Sequence, residues 1–232
     1  MKDILQDIVA HTHSLGFLNI VKVTSEADTT IESMAEDRSV ILSSQTKNPV
    51  AEFAGTFGMP NLDKLALHLK CPEYQTNAKV SVEQAERNGE TVPTHIHFEN
   101  EAGDFENDYR FMNKQIIDEK LKTVKFKGAS WDVVVEPSMA SIQRMKFQSM
   151  AHAEETVFTV RTEGTNLVFS FGDASQHAGS FVFEAGVEGT LAHTWSWPVA
   201  QVQAILGLDG DKTMSISDQG AMQITVDSGM VK

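Results

Sequence analysis

The chain has 232 residues, 41% of them hydrophobic and 22% charged, a composition that is ordinary for a globular protein and excludes a disordered one. Nineteen Lys and Arg stand against 32 Asp and Glu, and the resulting net charge of −13 excludes tight nucleic-acid binding through the whole surface. The single cysteine, Cys71, excludes an intrachain disulfide framework.

The chain begins MKDILQDIVAHTHSL, with acids and histidines where a secretory signal would be apolar. No run of about 18 apolar residues follows it. A cytoplasmic protein without a membrane partner is therefore expected.

Apolar residues recur at helical spacing in four places, which predicts four helices. These are Lys2–Leu15, Asn61–Lys70, Ser138–Ala151 and Pro198–Leu206. In the second helix, Asn61 is a suitable N-cap, and Lys64 and His68 lie opposite the apolar stripe.

The third predicted helix follows Pro137 and has a less regular apolar stripe. Its spacing places Met139, Ile142 and Met145 inward, whereas Arg144 and Gln148 face outward. Lys146 falls near the apolar side, so its ammonium would have to extend past that side into solvent.

Most of the remaining chain alternates between apolar and polar residues and is bounded by turn residues, which predicts short antiparallel strands. The predicted strands are Asn19–Thr24, Val40–Gln45, Lys79–Gln84, His95–Asn100, Val133–Glu136, Val157–Arg161, Asn166–Phe171, Ser180–Glu184, Leu191–Trp197, Thr213–Ser217 and Ala221–Val226. The chain is therefore predicted to be an α+β protein.

The two halves of the chain follow the same plan. The same number of residues separates Met1 from Asn61 and Ser138 from Pro198. When the first half of the sequence is moved along the chain by a fixed number of residues, the apolar positions of its two helices align with those of the last two helices. Leu62, for example, aligns with Val199. Each half is predicted to read helix, three or more strands, helix, hairpin, and 107–127 would connect the halves.

Two passages carry a resemblance to a known family: MPNLDKLALHLKCPEYQTNAKVSVEQ (59–84) and WPVAQVQAILGLDGDKTMSISDQGAMQITVDSG (197–229). In architecture the whole chain resembles the ring-forming DNA polymerase sliding clamps, and in detail those of T4-like bacteriophages. The resemblance implies two similar domains of antiparallel sheets with two helices each, at about 1–112 and 123–232, with 113–122 as the interdomain connector. It also implies a closed ring with the helices inside.

The resemblance implies a non-enzymatic processivity factor without a cofactor. Its partners would be duplex DNA bound without sequence preference, the replicative DNA polymerase, a clamp loader and further copies of the chain in a homotrimer. The location would be the cytoplasm of an infected bacterial host cell. The residues expected to face DNA are Lys64, His68, Arg144 and Gln148, with Lys2, Lys70, Lys146 and Gln201 as weaker candidates.

The polymerase is expected to dock at an apolar pocket beneath the connector. The residues expected to bind it are Tyr109, Phe111, Met112, Ile116 and Ile117, which carry more apolar bulk than a linker requires. An alternative role for these residues is to fix the connector to the sheets.

The family adds a strand after a segment such as DSGMVK (227–232), where little sequence remains here. That strand is expected to be very short, supplied from elsewhere, or missing.

Two other classes of function remain open at the level of sequence. His95 and His97 would lie on one face of a strand and, with a nearby carboxylate, could serve a metal-dependent hydrolase. A non-enzymatic phage structural module fits the strand content equally well. The segment Leu206–Thr213 lacks the spacing of a phosphate-binding loop, and Gly220 stands where a calcium loop needs glutamate.

Overall fold

The computed structural model of the protein describes residues 1–87, 89–122, 128–173, 175 and 177–232. The chain divides into two compact units. Unit 1 comprises Met1–Lys125 together with Ser228–Lys232, and unit 2 comprises Phe126–Asp227.

The described residues of unit 1 form three α-helices and two antiparallel sheets. Its elements in chain order are α1 (Lys2–His11), β1 (Val21–Ser25), β2 (Thr29–Met34), β3 (Ile41–Gln45), β4 (Gly55–Met59), α2 (Leu62–Lys70), β5 (Lys79–Arg87), β6 (Glu90–Glu99), β7 (Glu106–Arg110) and α3 (Lys114–Lys120). The sheets have the strand orders β3-β2-β1-β4 and β5-β6-β7. One face of β1 and β2 is buried at every second residue, as expected when an antiparallel sheet covers a core on one side only.

In the part of unit 2 that the structure describes there are two α-helices and two antiparallel sheets. Its elements are β8 (Val133–Val135), α4 (Met139–Ala151), β9 (Val157–Glu163), β10 (Asn166–Phe171), β11 (Gly179–Ala185), β12 (Trp195–Pro198), α5 (Val199–Leu206), β13 (Asp211–Ser217) and β14 (Ala221–Asp227). The sheets have the orders β11-β10-β9-β12 and β14-β13-β8.

The predicted repeat is confirmed at the level of topology. In each unit a helix is followed along the chain by the four strands of the larger sheet, and then by a second helix and a hairpin. When these four strands are numbered in chain order, they lie side by side in the sheet as third, second, first and fourth. The third strand of the smaller sheet breaks the symmetry, because β7 pairs with the second hairpin strand and β8 with the first.

All four predicted helices are present, with shifted ends. The first one ends at His11 and is followed by a short 3-10 turn at His13–Leu15. Asn61 precedes α2 in a left-handed conformation, and its side chain makes no capping hydrogen bond. The prediction that Met139 faces inward is wrong, since its side chain is 69% exposed and Ser141 occupies the buried position instead.

The predicted strands did not include β2, β4 or β7, and α3 was not predicted either. The second strand lies in an acidic stretch, and its buried face includes the polar residues Thr29 and Ser33, whose hydroxyl groups are hydrogen-bonded. In β7 only Tyr109 is buried, so the strand lacks an alternating apolar pattern. The helix α3 lies within the segment predicted to be the connector.

Residues Ser228–Lys232, the returning segment, belong to unit 1. The backbone groups of Lys232 and Gln45 exchange two hydrogen bonds, and Val231 is bridged to Thr46. The side chain of Val231 is 4% exposed and joins the core of unit 1. The segment after β14 therefore pairs with the end of β3 and the residue that follows it.

Candidate DNA-facing helices and partner surface

The candidate DNA-facing residues of unit 1 lie on α1 and α2. Both helices bury one apolar stripe in the same core, with Leu5 and Leu65 fully buried. Lys2 lies at the start of α1, where its ammonium donates to the carbonyl oxygen of Tyr74 at 2.9 Å and to the side chain of Gln75 at 3.0 Å. Because these contacts hold Lys2 against its own unit, its charge is partly engaged.

On α2, Lys64 and Lys70 are exposed as predicted. His68 is half-buried, and its ring stacks on Phe98 with the ring centroids 5.2 Å apart. Burial lowers the pKa of His68, and the positive charge of Lys64 lowers it further. His68 therefore packs as a neutral ring, which leaves the two lysines as the cationic groups of this helix.

In unit 2, Ser138 caps the start of α4, since its hydroxyl oxygen accepts a hydrogen bond from the backbone N–H of Ser141 at 3.1 Å. Arg144 is exposed, and its guanidinium donates to the carbonyl oxygen of Val182 on β11 at 3.3 Å. Gln148 is half-buried against Gly179, where a side chain on that glycine would collide with the amide. These two residues therefore also contact the sheet.

Lys146 is exposed and makes no ion pair with any of the residues that the structure describes. Gln201 is half-buried on α5, a helix without a charged residue. Taken together, α1, α2, α4 and α5 carry a net charge of +2, whereas the whole chain carries −13. The helices are therefore electrostatically distinct from the rest of the chain.

The candidate partner-binding residues lie on β7, on α3 and between them, all within unit 1. Tyr109 is buried, and its hydroxyl group donates to the carbonyl oxygen of Pro60. Burial raises the pKa of Tyr109, and the negative charge of Asp63 raises it further. Phe111 is half-buried and packs on Phe57, with the ring centroids 4.3 Å apart.

Met112 is half-buried, and its backbone exchanges two hydrogen bonds with Gly58 on β4. Ile117 is fully buried against the same glycine, so closely that a Cβ atom on Gly58 would lie 2.8 Å from the isoleucine side chain. Ile116, by contrast, is 42% exposed. The five residues therefore divide into buried anchors that hold α3 on unit 1 and a more accessible set that includes Ile116.

Three polar residues that the sequence did not single out fix α3 in place. Asn113 caps the helix, since its side-chain oxygen accepts from the N–H of Ile116 at 2.9 Å. Lys22 on β1 forms an ion pair with Asp118, with 2.7 Å between the ammonium nitrogen and the carboxylate oxygen. An asparagine three residues before the first isoleucine is the sequence signal that could have predicted this cap.

His95 and His97 share one face of β6, as predicted. Both rings lie close to Asp108 on β7, at 3.4 Å for His95 and 3.0 Å for His97. The hydrogen bond from His97 lowers the pKa of Asp108, and the charges of His95 and Arg110 add to the effect. Within the described residues no group of three or more His, Cys, Asp or Glu is arranged to hold a metal ion.

None of the helices in the described part of the chain is both long and apolar enough to cross a membrane.

No protein-family model matches the chain, and no curated protein matches it. Among solved structures, the crystal structure of PCNA from Thermococcus kodakaraensis is similar, with a TM-score of 0.64 over 94% of this chain and 87% of that chain. The two sequences are 10% identical, so the similarity concerns the fold. The chain therefore has the fold of a sliding clamp.

Proposed function

We propose that the protein is a non-enzymatic sliding clamp, which encircles duplex DNA and tethers a replicative DNA polymerase. The observation that carries the proposal is the duplicated unit, in which the same four-stranded sheet order recurs with two helices. The similarity to PCNA over nearly the whole chain supports it. A clamp acts by topology, so it needs weak contacts with DNA that permit sliding.

The charge distribution supports helices that face the DNA. The phosphates of duplex DNA follow one another at about 1.7 Å along its axis, which favours a diffuse cationic surface over a specific pocket. The four helices carry +2, and the exposed cations among them are Lys64, Lys70, Arg144 and Lys146. The strongly acidic remainder would repel DNA from the other surfaces.

Three features of the proposal follow from the family resemblance. The ring would be a homotrimer closed head to tail by pairing of end strands from the two units of neighbouring copies. A clamp loader would open it. The host setting would be the cytoplasm of a bacterium infected by a T4-like phage.

The polymerase would dock at the apolar surface of the connector. Burial limits the role of Tyr109 and Ile117 to supporting this surface. Phe111 and Met112 are half-buried, and Ile116 is exposed, so these three residues would contact the partner peptide.

The proposal is tested by replacing Lys64 and Arg144 together with glutamate. The double variant should lose most stimulation of processive synthesis on primed DNA, because two phosphate contacts per chain become repulsive. The matched control replaces Arg38 and Lys212, which lie outside the four helices, with glutamate and changes the net charge equally. Normal processivity in the double variant would exclude these helices as the DNA-facing surface.

A further inference from the structure

The two units differ in how the first strand of their hairpin is covered. In unit 2, β13 lies between β14 and β8, whereas β5 in unit 1 pairs with β6 alone among the strands that the structure describes. Alternate backbone N–H and C=O groups of such an edge strand point away from its one neighbour. The outer edge of β5 is therefore able to form hydrogen bonds with a further strand.

The side chains of the two strands show the same difference. On β13, Met214 and Ile216 are fully buried and lie opposite two valines of β8. The corresponding apolar residues of β5 are Val80 and Val82, which pack against the core of unit 1 but are only half-buried. A strand beside β5 would therefore bury apolar surface in addition to pairing the backbone.

The regular part of this edge is short. The register of β5 against β6 is irregular between Glu83 and Gln84, and the side-chain amide of Gln84 donates to the carbonyl oxygen of Glu52 at 3.4 Å. An irregularity of this kind bends a strand and interrupts its pairing. The open edge is therefore defined as Lys79–Glu83, a stretch longer than β8 itself.

The sequence of the open edge is complementary to itself. It reads KVSVE, with a cation at one end, a carboxylate at the other and a valine on either side of Ser81. When two such strands run antiparallel and are centred on Ser81, each Lys79 lies opposite the Glu83 of the other copy. Val80 and Val82 then lie opposite one another in the same way. Opposite charges and β-branched residues in these cross-strand positions stabilise an antiparallel sheet.

The charged ends of the open edge are accessible to another copy. The ammonium of Lys79 lies 3.4 Å from the carboxylate of Glu99 on β6, and it is exposed. The carboxylate of Glu83 accepts a hydrogen bond from the hydroxyl group of Ser81 at 2.9 Å and is exposed as well. Contacts of this kind on the surface are weak, so they do not prevent a further pairing.

We propose that two copies of the chain associate through the open edges of β5, which pair antiparallel about a twofold axis at Ser81. The three-stranded sheets of the two copies would then form one continuous sheet. The contact is isologous, because both copies contribute the same residues. The inference goes beyond the proposed function and does not rest on it, since a single chain already carries the open edge.

The association is expected to be weak. Five residues from each copy bury far less than the roughly 1,200 Å² of a stable interface, so the contact should form only at high protein concentration. An extended segment of another protein is a second possible occupant of the edge. The self-complementary order of charges favours a second copy, because β5 itself supplies the segment that fits.

The first test measures the weight-average mass by sedimentation equilibrium over a range of concentrations. The mass should rise with concentration through the pairing of β5. Glu83→Lys should raise the dissociation constant of this step about tenfold, because it places like charges opposite one another at two symmetry-related positions. The combined variant Lys79→Glu and Glu83→Lys restores opposite charges and should associate as the unchanged protein does.

The matched control for the first test is Glu86→Lys. It changes the charge equally, at an exposed position of the same strand beyond the irregularity, and should leave the association unchanged. Formation of the proposed ring also raises the mass with concentration, but none of these variants alters that step. The two proposals can therefore fail separately.

The second test locates the twofold axis by a disulfide between copies. Ser81→Cys is made together with Cys71→Ala, so that the introduced cysteine is the only one in the chain. Mild oxidation should link two copies, because the thiols face each other across the axis. Glu86→Cys in the same background is the control and should cross-link at least about tenfold more slowly, since its thiols lie too far apart for a disulfide.

The proposal is overturned if the mass curves of Glu83→Lys and the unchanged protein coincide, or if the charge exchange fails to restore association. Equal rates of cross-linking at positions 81 and 86 would also overturn it, because they would place the contact elsewhere. An open edge that binds only a segment of another protein would give the same mass for all variants and no cross-link, and would therefore contradict it as well.

Discussion

At the residue scale, Asp118 shows how the connector is held to unit 1 by charge. Its carboxylate receives a hydrogen bond from Lys114 on its own helix and lies 2.7 Å from the ammonium of Lys22 on β1. The hydrogen bond from Lys114 lowers the pKa of Asp118, and the one from Lys22 lowers it further. The folded protein therefore favours the ionised carboxylate.

This pKa shift predicts how the stability of unit 1 depends on pH. Because the folded-state pKa is below the unfolded value of about 3.9, the stabilisation is fully present above that value and is lost as the pH falls through the folded-state pKa. Asp118→Asn should lower the free energy of unfolding at pH 7 by up to about 1 kcal/mol, since the pair is partly exposed. In urea titrations this difference should shrink below about pH 4.

The control for Asp118→Asn is Glu119→Gln, which removes the same charge from the neighbouring exposed position. A pH-independent difference between Asp118→Asn and the unchanged protein would contradict the ionic explanation.

Ile116 gives a second prediction at the residue scale, for the partner surface. Ile116→Ser should weaken the binding of a polymerase C-terminal peptide, because an anchor in a desolvated pocket contributes about 2 kcal/mol or roughly thirtyfold in affinity. Isothermal titration calorimetry measures the affinity. Ile41→Ser is a matched control, since Ile41 lies on β3 and is 41% exposed against 42% for Ile116.

The corresponding change at Ile117 has a different meaning. Ile117 is fully buried against Gly58, so a serine there would lower the stability of α3 and of unit 1 as well as any peptide affinity. Unchanged peptide affinity in Ile116→Ser would assign the docking surface to other residues.

At the scale of elements, the returning segment supplies a core residue from the far end of the sequence. Val231→Ala should lower the free energy of unfolding of unit 1 by about 2 kcal/mol, because two buried methyl groups are lost and a cavity remains. Met230→Ala, at a position 38% exposed, is the matched control and should have little effect.

The chain offers separate optical signals for this measurement. All three tryptophans, Trp131, Trp195 and Trp197, belong to unit 2, whereas both tyrosines, Tyr74 and Tyr109, belong to unit 1. The tyrosine signal in near-ultraviolet circular dichroism should therefore report the loss in Val231→Ala. A shift confined to tryptophan fluorescence would be inconsistent with the placement of Val231 in unit 1.

Regular elements were the most predictable part of the fold. In α2 every predicted apolar position is buried, because Leu62, Leu65, Ala66 and Leu69 form a continuous stripe. The strand Asn166–Phe171 was predicted with its observed ends. Local periodicity suffices where one face of an element is uniformly apolar.

The sequence predicted less where tertiary contacts decide the structure. β7 is defined by pairing with β6, and only Tyr109 in it is buried. Gln148 was expected to face outward, yet it packs over Gly179 because that glycine leaves space for an amide. The candidate DNA-facing residues lie on the helices that were predicted to carry them, but their side-chain partners across the sheet had no local signal.

At the scale of the whole molecule, the proposed ring predicts a defined mass in solution. Sedimentation equilibrium should give three times the chain mass of 25.6 kDa, with no dependence on chelators. With −13 on every chain, the assembly should be strongly acidic and bind duplex DNA weakly, without sequence preference and less at high salt. A monomer at high concentration, or an open filament, would be incompatible with a closed ring.

The returning segment also determines when unit 1 can be completed during protein synthesis. Val231 enters the core of unit 1 only after all of Phe126–Asp227 has been translated. At about 5–20 residues per second, this stretch of roughly 100 residues takes the ribosome about 5–20 seconds. For that interval the nascent unit 1 has an incomplete core, and the backbone groups of Gln45 and Lys47 lack the partners that the segment provides. Unit 1 is made first, but the returning segment completes it last.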